Sequence, residues 1–289
     1  MIKIIFSDPT PQNPFGIIKA ECEHLDLDIQ FPWSSPLIFQ VISTVDKKIK
    51  WSSKLSPGTW SSFLEPCNTR VEIIDPEGSL ITSWEWDTFV HGDESHVLFM
   101  LWCLKNKGSK GIVIGTHDGT TGEWVEPLKS GLIEAFLVEA SIPQYKRLVE
   151  NYRRIEKCFP VFSLITPSGG DCEFFESPNE FTNSVIESHV LNYSSEITKV
   201  VKRSKSLNDL ICEVGLSDEI KWLHLDVEGI DADLVMSLDE TRVKLPEFII
   251  YESLNLTPEK KEEVYKWLSE RGYSYKESGW NTIAHKINE

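Results

Sequence analysis

Residues 111–131, GIVIGTHDGTTGEWVEPLKSG, run a short apolar strand into a glycine-punctuated turn and then into a helix. The same alternation continues to the end of the chain. Ile112 to Gly115 is the first strand, followed by Ala135 to Glu139, Val161 to Thr166, Lys221 to Asp226 and Glu247 to Glu252, with helices between most of them. Strands alternating with helices give a mostly parallel, doubly wound sheet covered on both faces, an α/β fold. The helix after Glu139 is well marked: Ser141 and Gln144 have capping-box spacing, and Tyr145, Leu148, Val149 and Tyr152 follow at i, i+3, i+4, i+7. Another opens with Thr257 as N-cap and Pro258 at its first position, buries Val264, Trp267 and Leu268, and stops at Gly272. Two strands around Gly279 close the chain. Pro127 falls inside the helix expected after the opening turn, where a regular interior would cost about 3 kcal/mol, so that helix is short or kinked.

Before residue 93 the pattern differs. Short β segments such as PLIFQVI (36–42) and VEII (71–74) are broken by proline, glycine and serine, and the turn DPEG (75–78) leads into Leu80 to Trp86. Residues 1–92 therefore read as a small β-rich accessory domain and 93–289 as the main domain. Asp93 can N-cap a helix over about 94–107, apolar on nearly every face and ended by Gly108. Trp33, Trp51, Trp60, Trp84 and Trp86 lie in the β-rich part. Such aromatics either stack on sugar rings or fill a sandwich core or subunit interface; the second leaves a homo-oligomer open.

The net charge of −16 from 45 acidic and 29 basic residues repels polyphosphate, which argues against nucleic acid as a partner. The start, MIKIIFSDPTPQ, has no long apolar h-region, and no stretch approaches a membrane span, so a cytoplasmic protein without membrane contact is expected. Its six cysteines have neither CxxC nor CxxxH spacing, so no disulfide framework or structural zinc site is indicated.

In an open α/β sheet the ligand sits beyond the carboxyl ends of the strands, where the first turn offers backbone N–H groups. Gly115 and Gly119 allow that approach, with Thr116 and His117 in the same turn. Their spacing, Gly-x-x-x-Gly-x-x-Gly, is not that of a dinucleotide site, which weakens an NAD-dependent oxidoreductase reading. Glu139 ends the second strand, where an acid accepts both hydrogen bonds of a ribose diol, and Ala140 follows it. Strand, glycine turn, helix, strand and terminal acid together suit an adenosine-type ligand. A tight turn with Glu139 as a solvated strand end satisfies the same residues.

Two blocks in order, GIVIGTHDGTTG with AFLVEA and YKRLVEN, then WLHLDVEGIDADLV (222–235), resemble FkbM-type S-adenosylmethionine-dependent methyltransferases. SLNDLI (206–211) and FIIYES (248–253) extend the resemblance over about residues 105–286. Val113 stands where that family usually has an acid, His224 where it has Lys, and Asn208 where it has Asp. The resemblance implies a Rossmann-like class I methyltransferase fold, S-adenosyl-L-methionine as cofactor, and transfer of a methyl to a hydroxyl of a sugar, glycan or secondary metabolite. Gly115, Thr116, His117, Gly119, Glu139, Ala140, Thr166, Ser168 and Asp226 are then the cofactor contacts. Asp226, His224 and His117 are candidate bases, because a hydroxyl acceptor must lose its proton. Glu228, with Asn183, Ser184 and His189 from the long connection CEFFESPNEFTNSVIESHVLNY (172–193), is expected to touch the acceptor.

Each has a plainer reading. His224 between Leu223 and Leu225 suits a hydrogen-bonded core histidine, and Glu228 and Asp231 suit a helix start. On an extended strand His224, Asp226 and Glu228 share one face, a set that also reads as hard-metal ligands. The resemblance calls for no metal, and none is expected. The alternative from another class is a non-catalytic nucleoside-fold scaffold whose β domain binds carbohydrate or a partner.

Overall fold

The structure is a computed structural model that describes the backbone of seven strands before residue 87, residues 95, 99, 102 and 103, and residues 106–286 apart from 179, with residue 180 as backbone alone. The chain divides into two units, 1–105 and 106–289.

In the first unit, β1 (Ile2–Phe6), β2 (Ile17–Cys22) and β5 (Thr59–Phe63) form a three-stranded sheet. The strands β3 (Leu37–Ser43), β4 (Ile49–Leu55), β6 (Thr69–Ile74) and β7 (Leu80–Trp86) form a four-stranded one in the order β4-β3-β6-β7. All pairings are antiparallel. The tryptophan side chains of this unit lie outside the described residues, as does most of the helix expected over 94–107; its residues 95, 99, 102 and 103 are helical.

The second unit is built on β8 (Ser109–Ile114), β9 (Ile133–Glu139), β10 (Cys158–Phe162), β14 (Ile220–Leu225), β15 (Phe248–Glu252), β16 (Tyr273–Ser278) and β17 (Asn281–Lys286). They form a seven-stranded sheet in the order β10-β9-β8-β14-β15-β17-β16, parallel except for β17. The order reverses between β8 and β14, the switch point at which open α/β sheets leave a crevice. Six α-helices are described: α1 (Val125–Lys129), α2 (Ile142–Tyr152), α3 (Glu187–Leu191), α4 (Leu207–Glu213), α5 (Asp231–Met236) and α6 (Pro258–Glu270). The mixed α/β architecture read from the alternating pattern is the one observed.

Alternation along β14 decides what each face packs against. Leu223 and Leu225, with Ile249 and Tyr251 of β15, join Leu207, Leu210 and Ile211 of α4 and Leu234 and Val235 of α5 in one buried core. Trp222 and His224 point to the opposite face. There Gly111 makes room for the Trp222 ring, which would lie 2.2 Å from a Cβ at that position.

Three local expectations change. Val161 to Thr166 is two strands, not one. The main sheet takes β10 up to Phe162; Ser163 N then donates to Glu139 O at 3.0 Å, and β11 (Leu164–Thr166) leaves to pair with β13 (Thr198–Ser206). With β12 (Gly170–Glu176) they make a separate three-stranded sheet, and all of β11 is buried. The capping box at Ser141 is not made: its side chain forms no cap bond, and the Glu139 carboxylate accepts Ser141 N instead. The buried stripe of α2 is Gln144, Leu148 and Tyr152, while Val149 is exposed. The Thr257 cap does form, accepting from Lys260 N at 3.3 Å. Pro127 is tolerated because α1 is only five residues long, so its missing N–H falls in the first turn, where no intrahelical acceptor exists.

Among the described glycines a Cβ would be most crowded at Gly115, which has φ +82° and where it would lie 1.7 Å from the carbonyl oxygen of Asp226. Gly108 has a similar φ of +77° but open space around it. Gly115→Ala should therefore destabilise the protein by about 3 kcal/mol or more in urea unfolding, against about 1 kcal/mol for Gly108→Ala.

Candidate functional site

The carboxyl ends of β8, β9 and β14, with the break after β10, surround an open cleft. Gly115 and His117 come from the turn after β8, Glu139 and Ala140 from the end of β9, and Ser163 to Ile165 from the break between β10 and β11. Asp226 to Glu228 come from the end of β14, and Phe181 and Asn183 from the connection after β12. A second compartment adjoins it, sharing Gly115, His117, Phe181, Asp226 and Glu228 and adding Thr116, Glu123, His224 and Asn281.

Glu139 organises the first compartment. Its Oε2 accepts from His117 N at 2.8 Å and its Oε1 from Ser141 N at 2.7 Å, so one carboxylate ties the turn to the start of α2. Burial raises its pKa above the ordinary range, while the backbone donors pull the other way. Each oxygen still has a second lone pair. His117 has φ +50°, which its bond to Glu139 sustains, and its ring stacks on Phe181 with centroids 3.9 Å apart.

Beyond Leu225 the strand ends, so Asp226 and Glu228 are not related by strand alternation. Asp231, 1% exposed, accepts from Val227 N at 3.1 Å and Gly229 N at 3.2 Å, folding the chain into a loop in which Glu228 has φ +60°. Three residues expected to touch an acceptor belong to this region in different ways. Ser184 Oγ donates to Glu228 O at 2.7 Å, and His189 Nε2 donates to Glu228 Oε2 at 2.6 Å, which raises the His189 pKa. Both stand behind Glu228 and hold it. Asn183 lines the cleft, with its Oδ1 accepting from Ser177 N.

Two carboxylates of this end of the cleft, Asp226 and Glu228, have a third, Glu252, beside them. Asp226 opens to the solvent of the cleft, yet desolvation by the surrounding walls, with Asp231 and Glu228 nearby, pushes its pKa up to about 7. Burial, with Glu228 and Asp226 beside it, raises Glu252 to about 7 as well. No Lys or Arg lines either compartment among the described residues. Lys202 stands outside, committed to Ala140 O and Glu176 Oε1, both at 2.8 Å.

His224 is buried and donates from Nε2 to Glu123 Oε2 at 2.8 Å; Glu123 Oε1 accepts from Asn281 Nδ2 at 2.7 Å. It is hydrogen-bonded, as a core histidine would be, and it also lines the second compartment.

Other expected contacts fall away from the cleft. Thr166 Oγ1 bonds Ser204 Oγ at 2.7 Å and accepts from Gly169 N, because β11 has turned into the other sheet; Ser168 follows it. Gly119 faces α2, where a Cβ would meet Tyr152 at 2.4 Å and Leu148 at 2.7 Å. Asn208 is structural, bonding Ser237 O and Asp239 N. Sequence reasoning passed over Glu252, Glu123, Asn281 and Phe181. For Glu252 a signal existed, an acid at the carboxyl end of the strand beside β14; an isolated Glu123 or Asn281 carries none.

No protein-family model and no curated protein sequence matches the chain. Among solved structures it is similar to an O-methyltransferase from Bacillus cereus in complex with SAH, with 11% identity over 67% of this chain and 80% of that one, at a TM-score of 0.41. It is also similar to Aeropyrum pernix fibrillarin with bound S-adenosyl-L-methionine, with 12% identity over 76% and 95% of the two chains, at a TM-score of 0.40. A fibrillarin pre-rRNA processing protein from Methanococcus jannaschii matches at 8% identity over 100% of both chains, with a TM-score of 0.39. Such likeness says nothing of substrate or chemistry.

Asp231→Ala would leave the Val227 and Gly229 N–H groups without their acceptor. Chemical unfolding should register a loss of about 2 to 4 kcal/mol, and the cleft-lining loop should lose amide-exchange protection before the core strands do.

Proposed function

We propose that the second unit binds S-adenosyl-L-methionine in this cleft and transfers its methyl group to a hydroxyl of a sugar, glycan or secondary metabolite. The observation that carries the reading is the meeting of three features at the switch point of the sheet. These are the Gly115 turn after β8, the Glu139 carboxylate at the end of β9, and Asp226 at the end of β14. A nucleoside lies across such a point with its ribose on the acid of the second strand. The finer assignment to the FkbM type rests on the resemblance of WLHLDVEGIDADLV and the glycine block to that family.

Within this reading Glu139 accepts the ribose hydroxyls on its remaining lone pairs, and the adenine lies against Ser163 to Ile165. The turn from Gly115 to His117 takes the methionine end, which directs the sulfonium methyl toward Asp226 and Glu228. The cofactor brings its own electrophile, so the chain's work is to align the acceptor oxygen about 3 to 3.5 Å from that methyl. The oxygen–carbon bond forms as the carbon–sulfur bond breaks, and the acceptor proton passes to a base. Asp226, His224 and His117 border the two compartments and are the groups available to take it, a contribution of about 10² to 10⁴ in rate.

Nucleic acid is the contrasting acceptor class. The absence of Lys and Arg from the described lining, with a net charge of −16, favours a neutral acceptor over a polyanion. No helix among the described residues is long and apolar enough to cross a membrane.

Calorimetric titration with S-adenosylhomocysteine, with NAD as control, tests the reading. Saturable binding of the first alone, weakened by about 1 to 3 kcal/mol in Glu139→Ala, is the expected result. Binding of neither ligand would overturn it in favour of a non-catalytic scaffold.

A further inference from the structure

We infer that Asp226, Glu228 and Glu252 hold a divalent cation, Mg²⁺ or Mn²⁺, at the acceptor end of the cleft. One oxygen from each of the three carboxylates lies within 4.8 Å of the others. An octahedral ion with oxygen ligands at about 2.0 to 2.2 Å spaces its donors about 3 to 4.4 Å apart, so the set closes on such an ion with small side-chain rotations. The backbone brings them together: Leu225 pairs with Tyr251, so Asp226 and Glu252 leave adjacent strands side by side, and the Asp231-pinned loop swings Glu228 back toward them.

A second observation is independent of the carboxylates. His224, 4% exposed, lines the compartment that Asp226 and Glu228 also line, and its Nδ1 has no hydrogen-bond partner. Buried polar atoms without partners are rare and call for an ion or a water. A water carried on the ion supplies that donor. Nor does a fixed cation of the chain balance the cluster: among the described residues that line the cleft there is no Lys or Arg, and the Glu228 carboxylate is met by the His189 ring. Three hard oxygen donors select Mg²⁺ or Mn²⁺ over softer metals.

The sequence alone leads to no metal, and its metal-like set of His224, Asp226 and Glu228 lacks Glu252. With Glu252 included, the site has a use that rests on the methyl-transfer reading, although the ion site itself does not. The ion takes the acceptor hydroxyl as a ligand and lowers its pKa; Asp226 and His224 are then engaged by the ion and its water, and the proton passes to His117 or to solvent as the oxygen attacks the methyl.

The test is an electron-paramagnetic-resonance titration of Mn²⁺ into the full chain stripped with EDTA. One bound Mn²⁺ per chain is expected, weakened about tenfold or more by Glu252→Gln and changed less than about twofold by Glu139→Gln, whose carboxylate lies in the same cleft. No bound Mn²⁺ at about 1 mM free metal, or binding indifferent to Glu252→Gln, overturns the inference. Should Glu252→Gln fail to fold, the wild-type protein decides by NMR. Substoichiometric Mn²⁺ should broaden the ring signals of His189 and His224 before that of His285, and broadening that begins elsewhere refutes the site. S-adenosylhomocysteine binding measured in EDTA reports on the cofactor reading separately, so either idea can fail without the other.

Discussion

The approach of the turn after β8 to the end of β14 is the constraint on which the rest of the site depends. At Gly115 the backbone passes so close to the Asp226 carbonyl that no side chain fits. That contact brings His117 within reach of Glu139 and sets the two compartments side by side. Glu139 then fixes the turn through His117 N and fixes α2 through Ser141 N. The glycine expected to let main chain approach a ligand instead lets main chain approach main chain, and the ligand cleft is what the approach leaves beside it.

The parts of the fold legible in the sequence are those set by local pattern. The strands β8, β9, β10, β14 and β15, the Thr257 cap and the closing hairpin follow from apolar runs, turn residues and cap chemistry, which neighbouring residues decide. The break at Ser163 was not legible, because β11 is drawn off by pairing with β13, tens of residues later. That one event removes Thr166 and Ser168 from the cleft. The capping box loses its return bond for a local reason: the Glu139 carboxylate, two residues before Ser141, takes the Ser141 N–H that the Gln144 side chain would accept.

Within the site, residues at strand ends were readable and residues that act through others were not. Gly115, Glu139 and Asp226 sit where any α/β sheet directs its chemistry. Ser184 and His189 were singled out as contacts for an acceptor, yet both bond Glu228, a partnership across 44 and 39 residues that no spacing rule reveals. The αL backbone of Glu228 shows why it needs them: a strained residue persists where its surroundings over-determine it.

The Glu123 carboxylate has a consequence for how the chain folds. Its two oxygens reach His224, 101 residues away, and Asn281, 158 residues away. Such contacts close loops of very different length at one point, and closure of long loops comes late and slowly. The second compartment is therefore complete only when the closing hairpin has docked on the sheet. A chain without that hairpin would keep the lining of the first compartment and lack the Asn281 wall of the second.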